Sequence, residues 1–257
     1  MKKNVFFFIL IIFYSFDMIS QKRDKTDFLK LQFFIDNKSI NYRLLKPYYE
    51  TTDNVPLVIF LHGSGERGND NEMQLIYGAN FFLKETEKKE FNSYVILPQC
   101  PKNNRWSSHK VDPWVFGHHH KMKDISHYGS LVIKLIESLI KNNNIDSDRI
   151  YISGLSMGGY GTFDLVSYRP DLFAAAAPIC GGADLELLKN ALDVPFWIFH
   201  GDADSVVPVE YSQNAFKLLV SKNNKHRYTE YKDVNHNSWD YVFKEEDYFK
   251  WMFSKSK

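Results

Sequence analysis

Ile150-Tyr151-Ile152-Ser153-Gly154-Leu155-Ser156-Met157-Gly158-Gly159-Tyr160-Gly161 is the stretch on which the fold turns. Residues 150–153 read as a short strand, and residues 160–168 suit a helix closed by Pro170. Between them Gly154-Leu155-Ser156-Met157-Gly158 matches G-x-S-x-G. A strand before and a helix after are the context in which that pentapeptide forms a nucleophile elbow, a sharp turn that lifts the serine hydroxyl above a sheet. Small residues flank the serine because the turn leaves no room for side chains. The start of the following helix favours developing negative charge. Taken alone, the pentapeptide is equally an ordinary glycine-rich turn.

Working outward, strands and helices alternate. Residues 31–35 and 42–45 read as paired strands around the turn-like Asp36-Asn37-Lys38. Residues 57–61 are a continuous apolar run before a glycine-rich turn, as a buried parallel strand would be. Residues 94–97 give a short strand stopped by Pro98, and 131–140 carry apolar side chains at helical spacing. Strands follow at 174–178, 196–200 and 228–231, and helices at 209–220 and 239–253. An antiparallel start followed by alternation predicts an α/β fold with a mostly parallel central sheet and helices on both faces. The pattern fails between residues 98 and 124, which hold Trp106, His109, Trp114 and His118-His119-His120. This long irregular segment is expected to cover a cleft. Adjacent histidines rarely converge on one ion, so no metal is expected there.

The 257 residues suit one large domain, and a net charge of +1 gives no reason to expect a nucleic-acid partner. Lys2 and Lys3 precede an apolar run over residues 5–16, shorter than the ~20 residues of a spanning helix. The expectation is an export signal at 1–20, with cleavage near Ser20, and a catalytic domain at 21–257. That predicts a secreted or periplasmic protein with no membrane attachment after cleavage; an uncleaved anchor is the competing reading. Cys100 and Cys180 are the only cysteines, each follows a predicted strand, and both are expected to be unpaired.

A serine nucleophile needs a base, and the base needs an orienting carboxylate. Phe199-His200-Gly201-Asp202-Ala203-Asp204 places two acids just beyond a strand, where sites form in parallel sheets. His236 follows the final predicted strand, so the chain order is serine, acid, histidine, that of the α/β-hydrolase fold. An oxyanion hole needs backbone N–H donors. Met157, directly after the nucleophile, supplies one; Ser64, in His62-Gly63-Ser64-Gly65 after the strand at 57–61, is the choice for the other. His62 reads as a structural hydrogen-bonding residue, and Glu66 and Arg67 as a supporting ion pair or hydrogen-bond network. Arg67, Trp106 and Trp239 are candidate substrate contacts, Trp106 with core packing as its alternative.

Leu61-His62-Gly63-Ser64-Gly65-Glu66-Arg67-Gly68, Leu97-Pro98-Gln99-Cys100-Pro101, the run 154–161 and Pro178-Ile179-Cys180-Gly181-Gly182 together resemble predicted carboxylesterases. These stand near the phospholipase/carboxylesterase and polyhydroxybutyrate-depolymerase-like groups, which are related to feruloyl and acetyl esterases. The likeness runs from about residue 57 to 239. In such families the acid is the second aspartate of H-G-x-x-D, which falls on Asp204 and leaves Asp202 as runner-up. The resemblance implies a serine esterase without metal or other cofactor, acting on a small-molecule or polysaccharide ester. A prolyl-oligopeptidase-type peptidase would carry the same three residues, and a non-catalytic binding module could share the fold. Relatives of the dienelactone-hydrolase kind place cysteine at the elbow, where this chain has Ser156.

Overall fold

The computed structural model describes residues 23–108 and 124–257. The expected export signal, Trp114 and the histidines at 118–120 lie outside the described residues.

The chain opens with a hairpin, β1 (Leu29–Ile35) and β2 (Lys38–Leu45), joined through Asp36 and Asn37. Both turn residues have positive φ, 49° and 59°, as a tight two-residue hairpin loop requires. Then come β3 (Val55–Leu61), helix α1 (Ala79–Thr86), β4 (Tyr94–Gln99), α2 (His127–Asn142), β5 (Ile145–Leu155) and α3 (Met157–Tyr168). The second half adds β6 (Ala175–Ile179), α4 (Leu185–Leu188), β7 (Trp197–Gly201), α5 (Glu210–Val220), β8 (Arg227–Tyr231), α6 (Trp239–Val242) and α7 (Asp247–Phe253). Among the described residues the strands form one eight-stranded sheet, ordered β1-β2-β4-β3-β5-β6-β7-β8. The β1–β2 and β2–β4 pairs are antiparallel. Every pair from β4 through β3 to β8 is parallel.

Both faces of this sheet are covered, which is why β3 is buried at every position. Leu57, Ile59 and Leu61 of β3 pack with Leu131, Leu135, Phe163 and Leu219, on the side of α2, α3 and α5. Val58 and Phe60 point the other way, into a core shared with Phe82, Tyr248 and Phe249 of α1 and α7. The alternation along one strand therefore addresses two separate helical layers.

Several boundaries differ from the sequence reading by a few residues, and three of them have a physical cause in the packing. Pro98 does not stop β4; it pairs opposite Tyr42, beyond the stretch 94–96 that β3 pairs. A missing amide costs no ladder bond on that unpaired side. Helix α3 starts at Met157 rather than Tyr160. The expected helix over 239–253 is broken between Val242 and Asp247. There Phe243 stacks on Phe81, with ring centroids 5.1 Å apart, and Glu245 accepts a hydrogen bond from the Tyr231 hydroxyl at 2.9 Å.

Candidate active site

Ser156 stands between β5 and α3 with φ 54° and ψ −117°. That backbone conformation is rare for a residue with a side chain and is held by its surroundings. The Ser156 amide donates to Ile179 O at 2.9 Å, tying the turn to β6. Helix α3 then starts hard against β3: a Cβ on Gly158 would lie 1.9 Å from Leu61 O. Any side chain there would push the helix off the sheet, so glycine sets the height at which the serine stands.

His236 follows β8, and its Nε2 lies 2.9 Å from Ser156 Oγ. Its Nδ1 lies 2.7 Å from Oδ2 of Asp204, which follows β7. The carboxylate accepts from Nδ1–H, so that nitrogen carries the proton and Nε2 presents its lone pair to the serine. Asn235 Oδ1 receives the His236 amide at 2.7 Å and the Ser205 amide at 3.0 Å, joining the two loops. The sheet thus brings Ser156, Asp204 and His236 together at one edge. Asp202 is not in this line; it is exposed and accepts the Asp233 amide at 2.7 Å.

The Asp204 side chain is wholly buried. Burial by itself pushes a carboxyl up, but hydrogen bonds from His200, His236 and the Val207 amide outweigh it and hold Asp204 well below the usual carboxylate range. Its Oδ1 takes the amides of Val206 and Val207 at 2.8 and 2.9 Å. Cys180, at φ 40° after β6, lies behind the pair: its Sγ, an Asp204 oxygen and a His236 nitrogen are within 4.8 Å of one another. Burial pushes this thiol far up, so it faces the carboxylate uncharged.

The loop after β3 reaches the same point. A Cβ on Gly63 would sit 3.6 Å from that of Ser156, so Gly63, directly before Ser64, borders Ser156. His62 anchors this loop: its Nε2 accepts the Cys100 amide at 2.9 Å while Nδ1 meets Gly63 O at 2.6 Å. Burial lowers its pKa to about 4, so it is a neutral strut, as its sequence context suggested. Gln99 braces the far end, donating to Asp70 Oδ1 at 2.7 Å and accepting the Asn71 amide at 2.7 Å.

One expectation for this region needs correction. Trp106 does not face a cleft: it is fully buried, its indole N–H donates to His62 O at 3.0 Å, and its ring packs edge-on against His62. Its surface is spent on the loop anchor, leaving none for a substrate. Of the two arrangements expected for Glu66 and Arg67, the hydrogen-bond network is the one present, with no ion pair between them. Arg67 donates to the carbonyls of Ser64 and Asn104, at 2.8 and 3.4 Å. Glu66 is buried, which pushes its carboxyl up.

Trp239 stands edge-on to His236, with centroids 5.5 Å apart, and packs against Tyr77. Arg67, Asn69, Asp70, Met73 and Lys102 line an open depression of about 520 Å³ beside the loop after β3. What the sequence reading missed was His200. It is fully buried, with Nε2 3.2 Å from Asp204 Oδ2. The signal was its place in the same H-G-x-x-D run as the acid. Cys100 and Cys180 are unpaired thiols, as expected.

The model of the phospholipase/carboxylesterase family matches residues 50–249. The chain belongs to this family. Its similarity to known phospholipase/carboxylesterase-like proteins is partial in length. Over 132 residues it is 33% identical to poly(3-hydroxyalkanoate) depolymerase C of Paucimonas lemoignei, covering 50% of this chain and 28% of that protein. Over 86 residues it is 34% identical to a bifunctional acetylxylan esterase/xylanase of Neocallimastix patriciarum, covering 34% of this chain and 13% of that protein. Among solved structures, a thermostable esterase superposes with a TM-score of 0.82 at 38% identity, over 90% of this chain and 64% of that one. The chain therefore spans less than two thirds of the length of each of these relatives. Its α/β-hydrolase fold is common to the family.

Proposed function

We propose that the protein is a serine carboxylesterase that cleaves short-acyl or phenolic esters, of the acetyl and feruloyl kind, carried on plant polysaccharides. The observation that carries this reading is the unbroken line from Ser156 Oγ through His236 to buried Asp204, at 2.9 and 2.7 Å. The elbow places that line at the end of a parallel sheet. Support for the ester class comes from family membership, and for the polysaccharide from the relative named as an acetylxylan esterase.

His236 Nε2 takes the Ser156 proton as Oγ attacks the ester carbonyl. The amides of Met157 and Ser64 hold the oxyanion. Asp204 keeps the His236 proton on Nδ1 and stabilises the imidazolium. The same proton then passes from Nε2 to the departing alcohol. In the second half His236 deprotonates water, which attacks the acyl-serine and releases the acid. Trp239 borders the reacting centre and offers a ring face to a phenolic acyl group, while Arg67 reaches hydroxyl or carboxylate groups of the alcohol half. No step uses a metal or other cofactor.

The test is hydrolysis of p-nitrophenyl acetate, butyrate and octanoate, methyl ferulate, acetylated xylan and a prolyl peptide, with Ser156→Ala as control. Turnover of acetyl or feruloyl esters that the control lacks is the expected result. Cleavage of the peptide alone overturns the esterase reading in favour of a peptidase, and silence across the panel favours a binding module. Among the described residues no helix is long and apolar enough to cross a membrane. Export rests on the basic and apolar residues before position 20; N-terminal sequencing of protein recovered outside the cell checks it, with a start near residue 21 expected.

A further inference from the structure

Asp204 Oδ2 is shared by two imidazoles. His236 Nδ1 approaches it at 2.7 Å and His200 Nε2 at 3.2 Å. His200 is the last residue but one of β7, so its backbone belongs to the rigid sheet and not to the loop that carries the acid. Its Nε2 also meets Val207 O at 2.9 Å. Both neighbours of Nε2 are acceptors, so this nitrogen carries a hydrogen. On the other side Nδ1, left with its lone pair, accepts from the Ser212 hydroxyl at 2.7 Å, and Gly181 O lies 3.2 Å from the same Oγ. His200 and Ser212 are both completely buried. A chain of fixed contacts thus runs from Gly181, through Ser212 of α5 and His200 of β7, to the carboxylate oxygen that orients His236.

We propose that His200 is a positioning residue for the acyl-transfer reaction, a second N–H donor that fixes the Asp204 carboxylate and moderates its pull on the His236 proton. The inference rests on the esterase reading and deepens it. An oxygen that already accepts from His200 has less negative charge to offer His236. The base is then not held too tightly in its charged form, and it can return its proton to the alcohol leaving group. The contact to Val207 O does the mechanical half of the task. Asp204 is gripped on Oδ1 by the Val206 and Val207 amides, and His200 bridges Oδ2 to the carbonyl of that same Val207. Two further titratable groups face this carboxylate, Cys180 after β6 and Tyr160 on α3, and burial keeps both uncharged. His200 is thus the one neighbour besides His236, among the described residues, that brings a nitrogen donor to Oδ2.

The test uses the full chain and p-nitrophenyl acetate, read as kcat, KM and the acid limb of the kcat/KM profile. His200→Leu keeps the site apolar and removes the donor. It is expected to lower kcat about tenfold at unchanged KM. Its acid limb moves up by about half a pH unit, since an unmoderated Asp204 stabilises the His236 imidazolium. In His200→Gln the amide nitrogen replaces Nε2–H, and both quantities return most of the way. Ser212→Ala frees Nδ1 and shifts the limb in the same direction by less. A folded leucine variant with wild-type kcat and acid limb overturns the proposal, as does an equal loss in the glutamine and leucine variants. If the leucine variant does not fold, Ser212→Ala decides, an unmoved acid limb overturning it. Should wild type hydrolyse no ester, the esterase reading fails by itself. The same variants are then compared by the pH dependence of Ser156 phosphorylation with diisopropyl fluorophosphate, a reaction that needs only the nucleophile and its base.

Discussion

Ser156 Oγ and His236 Nε2 stand 2.9 Å apart although 80 residues of chain separate them. Two parallel strands, β6 and β7, lie between the strands that carry them, and the register of the sheet brings the ends together. Replacing Ser156 with alanine deletes Oγ and leaves the positive-φ backbone unchanged, since alanine and serine share the same Cβ. We expect kcat on p-nitrophenyl acetate to fall by at least about 10⁴-fold. The unfolding midpoint should stay within a few degrees of wild type, because no buried contact is lost. Residual turnover near wild type would remove Ser156 from the mechanism.

Trp106 separates packing from binding. Trp106→Phe keeps a ring in the core but takes the donor from His62 O, a buried carbonyl. Leaving such a group unsatisfied costs about 1–3 kcal/mol. Urea unfolding should show that loss while KM for small esters stays the same. A several-fold rise in KM with undiminished stability would return Trp106 to the cleft.

Acid should weaken the fold in two stages. His62 and His226 have pKa values lowered by burial to about 4, below the ordinary 6.5. Below pH 6.5 the unfolded chain therefore binds more protons than the folded one, and stability declines as pH falls toward 4. Asp204, whose pKa is depressed, contributes stability above the ordinary carboxyl value of 3.8 that is lost as pH falls further. Denaturant titrations at pH 7.5, 5 and 3.5 should show a progressive drop. In His226→Asn, where an amide oxygen can still accept the Phe196 amide that Nδ1 accepts at 3.3 Å, the first stage should be shallower. An identical slope in that variant would exclude His226 as a contributor.

Both thiols should be silent in the native protein. Burial raises Cys100 to about 12 and Cys180 further, and neither is bridged. The thiolate is the reactive form. A chromogenic disulfide reagent should therefore register little release before denaturant is added and two equivalents after it, matching the two cysteines of the chain. One or two rapid equivalents under native conditions would place a thiol at the surface.

Much of this architecture is legible along the chain, for a physical reason. Strand β3, and β5 from Ile150 onward, are buried on both faces and so read as apolar runs, and the turns after them carry glycines because backbones approach closely there. Ser156, Asp204 and His236 are legible as a set because each follows a recognisable strand. Trp106 was ambiguous because an indole suits a core and a cleft equally, and only its N–H partner decides. Pro98 misled because a local rule about missing amides says nothing of which side of the strand is unpaired. The break in 239–253 seats Phe243 on Phe81 of α1, within one helical layer, a contact no local periodicity encodes. His200 was visible as a residue, but its link to Asp204 is made by the fold of the loop between them.

Strand order also sets a timetable. The proposed nucleophile lies at the end of β5, the proposed acid beyond β7 and the proposed base beyond β8, so a ribosome delivers them in that sequence. A nascent chain displaying Ser156 has no imidazole to activate it until the segment after β8 has emerged and docked. On the proposed mechanism the growing polypeptide is therefore inert, and turnover awaits the docking of β8, the last strand in chain order.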